Sequence, residues 1–299
     1  MKIGRCFLLL AALTLAVVSS ARAEFPPKDL IVPSLVADTT AVTAGKPFTV
    51  GVRMKMKSGW HTYWQFPGDA GDPPKIDWQL PDGFKAGPIQ WPIPKSEIDD
   101  PDLLSYIFPD EVLLMVEITP PAQLAGSEVD LHAKLRWLVC EKTCIPGKGE
   151  VDLKLPAGGE AAPANAELFA EWRARLPKTS GAPFQASWDR SKADAFSLKL
   201  DGLKADQKVE FFPLPAGKVN PGHPKVSEPA GDGSRTVTVP IPDGGAPNLP
   251  WQGVVAITNA NGVREGWGVS AAETKTAEQS APAPTPAAET ATAPAPTPS

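Results

Sequence analysis

Long apolar runs are missing from this 299-residue sequence, except for a short one at its N-terminus. That run, residues 7–18, is shorter than the roughly 18 to 20 apolar residues that a membrane-spanning helix needs. The basic residues Lys2 and Arg5 precede it and the small-x-small sequence "ARA" follows it, which is the pattern of a secretory signal peptide. We predict that residues 1–23 are a signal cleaved after Ala23, and that the exported protein has no direct membrane span.

Charge of one sign is not concentrated anywhere in the chain. The formal net charge is −5, without long runs of one sign, so the sequence carries no electrostatic footprint for nucleic acid or for an anionic membrane surface. It also lacks the G-x-S-x-G and H-E-x-x-H motifs, a P-loop and the dinucleotide glycine fingerprint. These absences exclude the classical hydrolases and nucleotide-binding enzymes. They leave thiol chemistry, and we predict no cofactor and no nucleic-acid partner.

Proline and glycine, in contrast, are abundant, with 35 and 25 residues. Many of them separate apolar alternating segments, which is the pattern of an all-β protein with many turns. Apolar and polar residues alternate with a period of two in "FTVGVRMKM", "EVLLMVEIT" and "VDLHAKLRWLV", as in strands with one buried face. Three such strands in one stretch predict a β-sandwich.

The second half of the chain has a weaker pattern of the same kind. Residues 157–168 contain few bulky apolar side chains and are predicted to be a linker into a short helix around "LFAEWRARL". Strand patterns such as "AFSLKL" and "GVVAIT" then predict a second, smaller β-rich domain over residues 169–270, with a type I′ hairpin at Asn261-Gly262. Residues 271–299, rich in Ala, Pro and Thr, are predicted to be a disordered tail because they have no aromatic or branched aliphatic side chain to bury.

Cysteine is scarce as well. Of three cysteines, Cys6 lies in the predicted signal, so the mature protein keeps only Cys140 and Cys144. Cys140 continues the polar series of its strand and is expected to point away from the core. As a structural staple the pair would contribute only about 2 kcal/mol, because it closes a loop of about five residues. A tight Cys-x3-Cys ring favours a strained, labile disulfide, yet cysteine pairs in exported proteins are usually structural, and the pattern leaves both interpretations open.

A metal site is the third interpretation of the cysteine pair. In a soft-ligand site for Cu(I), the two thiolates would be joined by His61, His132, Met54 or Met56. Both methionines fall on the predicted core side of their strand, and no further Cys or His pair completes a zinc-like set. We therefore predict no metal site.

Several stretches together resemble a known family. They are "SGWHTYWQFPGDAGDPPKIDWQLPDGF", "GPIQWPIP", "EVLLMVEITPP" and "WLVCEKTCIPG". They are similar to the N-terminal periplasmic domain of thiol:disulfide interchange proteins of the DsbD type, closest to the suppressor-of-copper-sensitivity branch. The resemblance implies that residues 24–156 form the redox domain and that the following domain, to about residue 270, is the companion domain of that branch.

The resemblance implies an immunoglobulin-like β-sandwich in the periplasm whose paired cysteines are the catalytic residues. The pair would accept electrons from a thioredoxin-like donor, or from a separate membrane electron carrier of the DsbD or CcdA type. It would pass them to periplasmic thioredoxin-fold clients. By analogy with the family, Cys144 makes the intermolecular bond and Cys140 resolves it.

In the family, a loop with an aromatic tip caps the disulfide. The equivalent stretch here is "DDPDLLSYIFPDE". It provides Leu104, Tyr106 and Phe108 as candidate shields, and Asp100 or Asp102 as a nearby acid.

The sequence departs from the family pattern in two respects. Its cysteine spacing of three residues is narrower than that of the best-known members, and the chain carries no multi-span membrane module or thioredoxin-like module. Separate proteins are therefore expected to reduce it. The alternative is a non-catalytic, two-domain periplasmic binding or scaffold protein with a structural disulfide, for which copper handling is one candidate role.

Overall fold

The computed structural model describes residues 30–100, 102–242 and 249–271. They are almost entirely β-structure, in agreement with the predicted fold class. The predicted signal peptide and all but the first residue of the predicted tail lie outside the described residues. Within the described part of the chain, no helix combines the length and the apolar character needed to cross a membrane.

The N-terminal sandwich, residues 30–156, has two antiparallel sheets. Its strands are β1 (Ile31–Ala37), β2 (Phe48–Met56), β3 (His61–Gly68), β4 (Lys75–Gln79), β5 (Lys85–Gln90), β6 (Lys95–Asp100), β7 (Leu103–Pro109), β8 (Glu111–Thr119), β9 (Glu128–Cys140) and β10 (Cys144–Pro156). The first sheet has the order β1-β2-β8-β5, and the second has the order β10-β9-β3-β7-β6 with β4 also paired to β9. The predicted immunoglobulin-like sandwich is thus confirmed.

Alternation along the strands explains how the two sheets enclose one core. In β9, Val129, Leu131 and Ala133 are buried, whereas the residues between them lie on the opposite face. Because side chains of a strand point alternately to its two faces, one face of β9 packs against the other sheet. The same core contains Trp64, whose side chain is fully buried.

The predicted linker is hydrogen-bonded to the N-terminal sandwich. The amide of Thr40 donates to the carbonyl oxygen of Ala162, and Asn165 Nδ2 donates to the carbonyl oxygen of Ala37. Helix α1 (Ala166–Arg173) follows and buries Phe169 and Trp172 in the N-terminal core. The domain boundaries proposed from the sequence remain a prediction.

The C-terminal half, residues 185–271, repeats the architecture on a smaller scale. Its strands are β11 (Gln185–Asp189), β12 (Ala195–Asp201), β13 (Lys208–Leu214), β14 (Lys225–Val226), β15 (Arg235–Pro240), β16 (Gln252–Thr258) and β17 (Arg264–Ser270). They form two sheets, β11-β12-β15-β14 and β13-β16-β17. The two sheets share a core that contains Phe196, Val237 and Trp251.

The last hairpin lies where the sequence predicted it, but its turn is of another type. Gly262 has a φ of 79°, whereas Asn261 does not have the positive φ that a type I′ turn requires. The side chain of Asn259 instead accepts hydrogen bonds from the amides of Asn261 and Val263. These bonds stabilise a longer loop, which explains the wrong prediction.

The two halves pack directly against each other. Phe212 of β13 lies 5.3 Å from Tyr106 of β7 between ring centroids, and Arg264 donates a hydrogen bond to the carbonyl oxygen of Pro94. A polar contact joins His223 Nε2 and Asp69 Oδ2 at 2.5 Å. The second sheet of the N-terminal sandwich therefore has one face turned to this shared core, and its opposite face carries the site described next.

Candidate functional site

Cys140 and Cys144 stand opposite each other at the end of the β9–β10 hairpin. Cys140 is the last residue of β9, Cys144 is the first of β10, and the two are Cα partners in the ladder. They form a disulfide with an S–S distance of 2.07 Å. Directly opposite residues of an antiparallel pair have neighbouring side chains on one face, so the register of the hairpin brings the two sulfurs together.

The two sulfurs differ in accessibility. The side chain of Cys144 is exposed, whereas Cys140 is only 2% exposed. Cys140 packs with Tyr63 and Ile107 in a small cluster, with Leu138 at its margin, separate from the main core. The sequence thus placed Cys140 correctly on the face away from the core. It did not predict that other side chains cover that face.

The residues that cover Cys140 are not the predicted shields. Leu104, Tyr106 and Phe108 alternate along β7 onto the opposite face, where all three belong to the main core. Ile107, between them, faces Cys140 and pairs with Tyr63 of β3. The shield prediction favoured the aromatic residues, but the period of two in a strand selects the odd-numbered position instead.

Of the two predicted acids, the structure describes only the side chain of Asp102, and it does not lie at the disulfide. Asp100 is the last residue of β6, and its side chain lies outside the described residues. Asp102 is exposed and lines a groove with Glu210 and His223, between β6 and the C-terminal half. The carboxylate that approaches the site belongs to Glu97.

A chain of polar groups leads from Glu97 to the disulfide. The Tyr63 hydroxyl donates a hydrogen bond to Cys140 Sγ at 2.9 Å and lies 3.6 Å from Cys144 Sγ. His61 Nε2 is 3.4 Å from the Tyr63 hydroxyl, and His61 Nδ1 is 3.2 Å from Glu97 Oε2. His61 is 5% exposed, whereas the Glu97 side chain is 37% exposed, so the chain runs from the surface inward to the disulfide.

The imidazole of His61 therefore stands between two oxygen atoms. The Glu97 oxygen is buried and, within the described residues, has no aligned hydrogen-bond partner. An imidazolium has a donor on each ring nitrogen and can donate to both oxygens, whereas a neutral ring has only one donor. The site can thus hold a proton next to Tyr63.

The position of the Tyr63 ring depends on a glycine. Gly71 has a φ of 116°, and a Cβ at this position would lie 2.3 Å from the Tyr63 ring. Any larger residue would therefore displace the ring from the sulfurs. The sequence analysis did not identify Tyr63 as a site residue. The alternation along β3 was the available signal. Trp64 faces the core, so His61 and Tyr63, at odd-numbered positions, face the opposite side, where Cys140 lies.

Of the four alternative metal ligands, His61 lies beside the disulfide as the Cα partner of Cys140, and the other three do not approach the sulfurs. Met54 and Met56 are buried in the main core, and His132 contacts Asp152 at 2.5 Å. Among the described residues, no group of three or more His, Cys, Asp or Glu side chains is arranged to hold a metal ion.

The N-terminal sandwich thus carries a disulfide at the end of one hairpin, with one sulfur exposed. Residues 28–156 match the family model of the N-terminal domain of the thiol:disulfide interchange protein DsbD. This stretch is therefore a DsbD-type N-terminal domain, as the sequence motifs predicted. No curated protein matches the chain.

Solved structures extend the likeness in fold beyond residue 156. The N-terminal periplasmic domain of ScsB from Proteus mirabilis matches with a TM-score of 0.58 and 20% identity, over 79% of this chain and 91% of that one. The YadV chaperone and the major pilin BcpA of Bacillus cereus reach TM-scores of only 0.21 and 0.25, at 11% and 10% identity. They cover 79% and 82% of this chain, and 98% and 68% of their own. Scores this low do not indicate a shared fold. The ScsB domain, in contrast, shares the fold across both halves.

Proposed function

We propose that this protein exchanges thiols and disulfides with thioredoxin-fold proteins through Cys140 and Cys144. The observation that carries the proposal is the asymmetry of the disulfide. Cys144 is exposed to an incoming protein, whereas Cys140 is buried and hydrogen-bonded by Tyr63. A purely structural disulfide needs neither an exposed sulfur nor a hydroxyl directed at the other one.

Reduction of the pair begins at the exposed sulfur. A thiolate of the donor attacks Cys144 Sγ, the bond between Cys144 and Cys140 breaks, and the electron pair goes to Cys140 as a thiolate. The Tyr63 hydroxyl, already 2.9 Å from that sulfur, stabilises the new charge. A second thiolate of the donor then attacks the donor sulfur in the mixed disulfide, and the bond from that sulfur to Cys144 breaks. The donor leaves oxidised, and the two cysteines, after taking up protons, are reduced.

The reduced pair passes both electrons on in the reverse order. The Cys144 thiolate attacks the disulfide of a client, and the displaced client thiolate takes up a proton. Cys140, as the thiolate, then attacks Cys144 Sγ in the mixed disulfide and releases the second client sulfur. The burial of Cys140 favours this intramolecular step over attack on another protein. It supports Cys144 as the intermolecular residue and Cys140 as the resolving one.

Tyr63 is the proposed catalytic residue besides the cysteines, and His61 and Glu97 are positioning residues. The hydroxyl contacts the sulfur that gains and loses charge. His61 contacts that hydroxyl and Glu97 contacts His61, so the pair orients the phenol and holds a proton beside it. Such positioned acids and bases contribute typically 10² to 10⁴-fold to a reaction rate.

The family match and the predicted signal peptide support a periplasmic location. The electron donor would be a thioredoxin-like protein or a separate membrane carrier, and the clients would be thioredoxin-fold proteins. We propose that residues 24–156 form the redox domain, with residues 157–168 as the connection to a second domain over residues 169–270. The contact between Tyr106 and Phe212 joins the second domain to the core side of the redox domain, away from the disulfide.

The reduction potential of the pair tests this function. The mature protein is equilibrated in glutathione or dithiothreitol buffers and its free thiols are counted. A value of about −120 to −270 mV, the range of known exchange proteins, supports exchange, whereas a value below about −300 mV identifies a structural disulfide and favours the scaffold alternative.

Two single variants assign the cysteines. With a thioredoxin-fold protein as the probe, Cys140→Ser should accumulate a mixed disulfide through Cys144, and Cys144→Ser should not. Trapping by Cys144→Ser alone would reverse the assignment. Trapping by neither variant would contradict exchange with this class of partner.

A further inference from the structure

The outer face of the β9–β10 hairpin is organised in cross-strand rows that start at the disulfide. Cys140 and Cys144 form the first row, Leu138 and Pro146 the second. Four residues from the disulfide, Arg136 pairs with Lys148 of β10 and with Lys75 of β4. Directly opposite residues share a face, so these side chains lie beside one another.

The rows farther from the disulfide pair opposite charges. Lys134 lies 3.9 Å from Glu150 and also stands opposite Asp77. Beyond them, Lys154 lies 3.3 Å from Asp130. Such pairs are expected on a stable, solvated sheet face, because opposite charges on neighbouring strands stabilise the strand pairing.

The row at Arg136 departs from this rule. Its three members are all cations and all exposed, and like charges directly opposite each other destabilise a sheet. Lys75 has an ion pair with Asp72 at 2.9 Å, but neither Arg136 nor Lys148 has one in the described part of the chain. The sheet thus keeps two unpaired cations together on the face of the reactive sulfur.

We propose that Arg136 and Lys148, with Lys75 beside them, dock a carboxylate-bearing surface of the partner protein that exchanges with Cys144. The inference rests on the proposed thiol exchange and adds the chemistry of the partner. A rise of about 3.3 Å per residue places this row about 13 Å from the disulfide. The partner should therefore carry acidic side chains about that far from its reactive cysteine, with apolar residues between them to meet Leu138 and Pro146.

The charged residues next to the disulfide do not favour a partner of either charge. Glu141 and Lys142, in the turn between the two cysteines, are exposed and of opposite sign. Their contributions to the local potential oppose each other. The cationic row is thus the nearest one-signed feature on this face, and complementary potentials of this kind raise association rates.

The test uses two synthetic peptides as probes. Each carries one cysteine as a mixed disulfide with 2-thiopyridine, and they differ only in having three glutamates or three lysines about four residues from the cysteine. In full-length Cys140→Ser protein, the Cys144 thiolate displaces thiopyridone, which absorbance follows. The measured quantity is the ratio of the two rates, which cancels the intrinsic reactivity of the thiol.

We expect the acidic peptide to react about tenfold faster at low ionic strength. The ratio should approach one in about 1 M salt, where the screening length is about 3 Å. Adding Arg136→Glu and Lys148→Glu should abolish or invert it. Lys154→Glu with Lys199→Glu, an equal change of charge on exposed residues remote from the row, should leave it unchanged.

A ratio near one at low salt, or one that survives the double reversal, would overturn the proposal. The salt series on the unaltered surface keeps the test decisive if the reversed variant fails to fold. Exchange with a thioredoxin-fold probe is scored separately. Its absence contradicts the proposed function, whereas a lost peptide preference with intact exchange contradicts only the docking surface.

Discussion

The two halves of the molecule bury their aromatic residues in similar ways. In the N-terminal sandwich Trp64 packs edge-on against Tyr106 at 6.1 Å, and in the C-terminal half Trp251 stacks on Phe196 at 4.7 Å between ring centroids. Both halves are antiparallel sheets around a core. Only the N-terminal sandwich contains the cysteine pair and the polar chain behind it. The disulfide and its polar neighbours thus belong to one sheet face and not to the architecture that the two halves share, which agrees with the general independence of fold and function.

Removal of both sulfurs should have the largest effect and should separate chemistry from stability. In Cys140→Ser/Cys144→Ser we expect exchange to fall to background. The free energy of unfolding should fall by only about 2 kcal/mol, because the disulfide closes a short loop. Exchange assays and urea unfolding of the same samples measure both effects. A much larger loss of stability would favour the scaffold alternative.

Truncation of one core tryptophan in each half tests whether the C-terminal half supports the site. Trp251→Ala should lower the free energy of unfolding by about 3–5 kcal/mol and leave exchange unchanged while the protein is folded. Trp64→Ala should cost a similar amount and also slow exchange, since Trp64 follows Tyr63 in β3. Thermal unfolding and exchange are compared at equal fractions folded. Equal effects of the two variants on exchange would contradict the separation of the halves.

Loss of the Tyr63 hydroxyl should slow exchange without a large loss of stability. A hydrogen bond to a charged group contributes about 1.5–3 kcal/mol, which corresponds to about a tenfold to 150-fold change in rate. The pH profile of exchange should change as well, because the group beside the leaving sulfur is removed. Stopped-flow kinetics of Tyr63→Phe measure both. Tyr106→Phe, on the core face, is the matched control, and an equal slowing in the control would remove Tyr63 from the mechanism.

The smallest expected effect is a pH dependence at the contact between the halves. Burial, and secondarily the Asp69 carboxylate, raises the pKa of Tyr106 well above its ordinary value of 10.0. Below about pH 10 the phenol is protonated in both states. Above it the unfolded chain loses the proton while the folded protein keeps it, so stability falls as the pH rises.

Urea midpoints between pH 8 and pH 11 provide the measurement. Tyr106→Phe should reduce the decline relative to the unaltered protein. The sequence contains only two tyrosines, so an ultraviolet titration of Tyr63→Phe isolates the Tyr106 phenol. An ordinary titration near pH 10 in that variant would contradict a buried, protonated Tyr106.

Much of the fold could be predicted from local patterns. Alternation identified β2, β8 and β9, and the face to which Cys140 points. The hairpin at Asn261-Gly262 was placed correctly, but the turn type was wrong because it depends on the Asn259 side chain. Patterns of this kind act over two to five residues, and a single sequence displays them directly.

The cover of the disulfide was predicted only in part. The sequence interpretation selected the right segment, around β7, but Leu104, Tyr106 and Phe108 face the core and Ile107 faces the sulfur. An aromatic residue was expected above Cys140, and the structure provides one in Tyr63 from another strand. The signal that was missed was the parity of β3, in which His61 and Tyr63 share a face.

The sequence by itself determined the strands, the cysteine pair and the face on which it lies, because a strand's period of two is a local property of the backbone. The tertiary structure alone decided which distant groups meet the sulfurs. Tyr63 and Ile107 meet Cys140, and Glu97 meets His61, through the pairing of β3, β6, β7 and β9. The β3–β7 register shifts between Tyr63 and Gly68. Register between strands far apart in sequence depends on the packing of the whole sheet, so no local pattern encodes it.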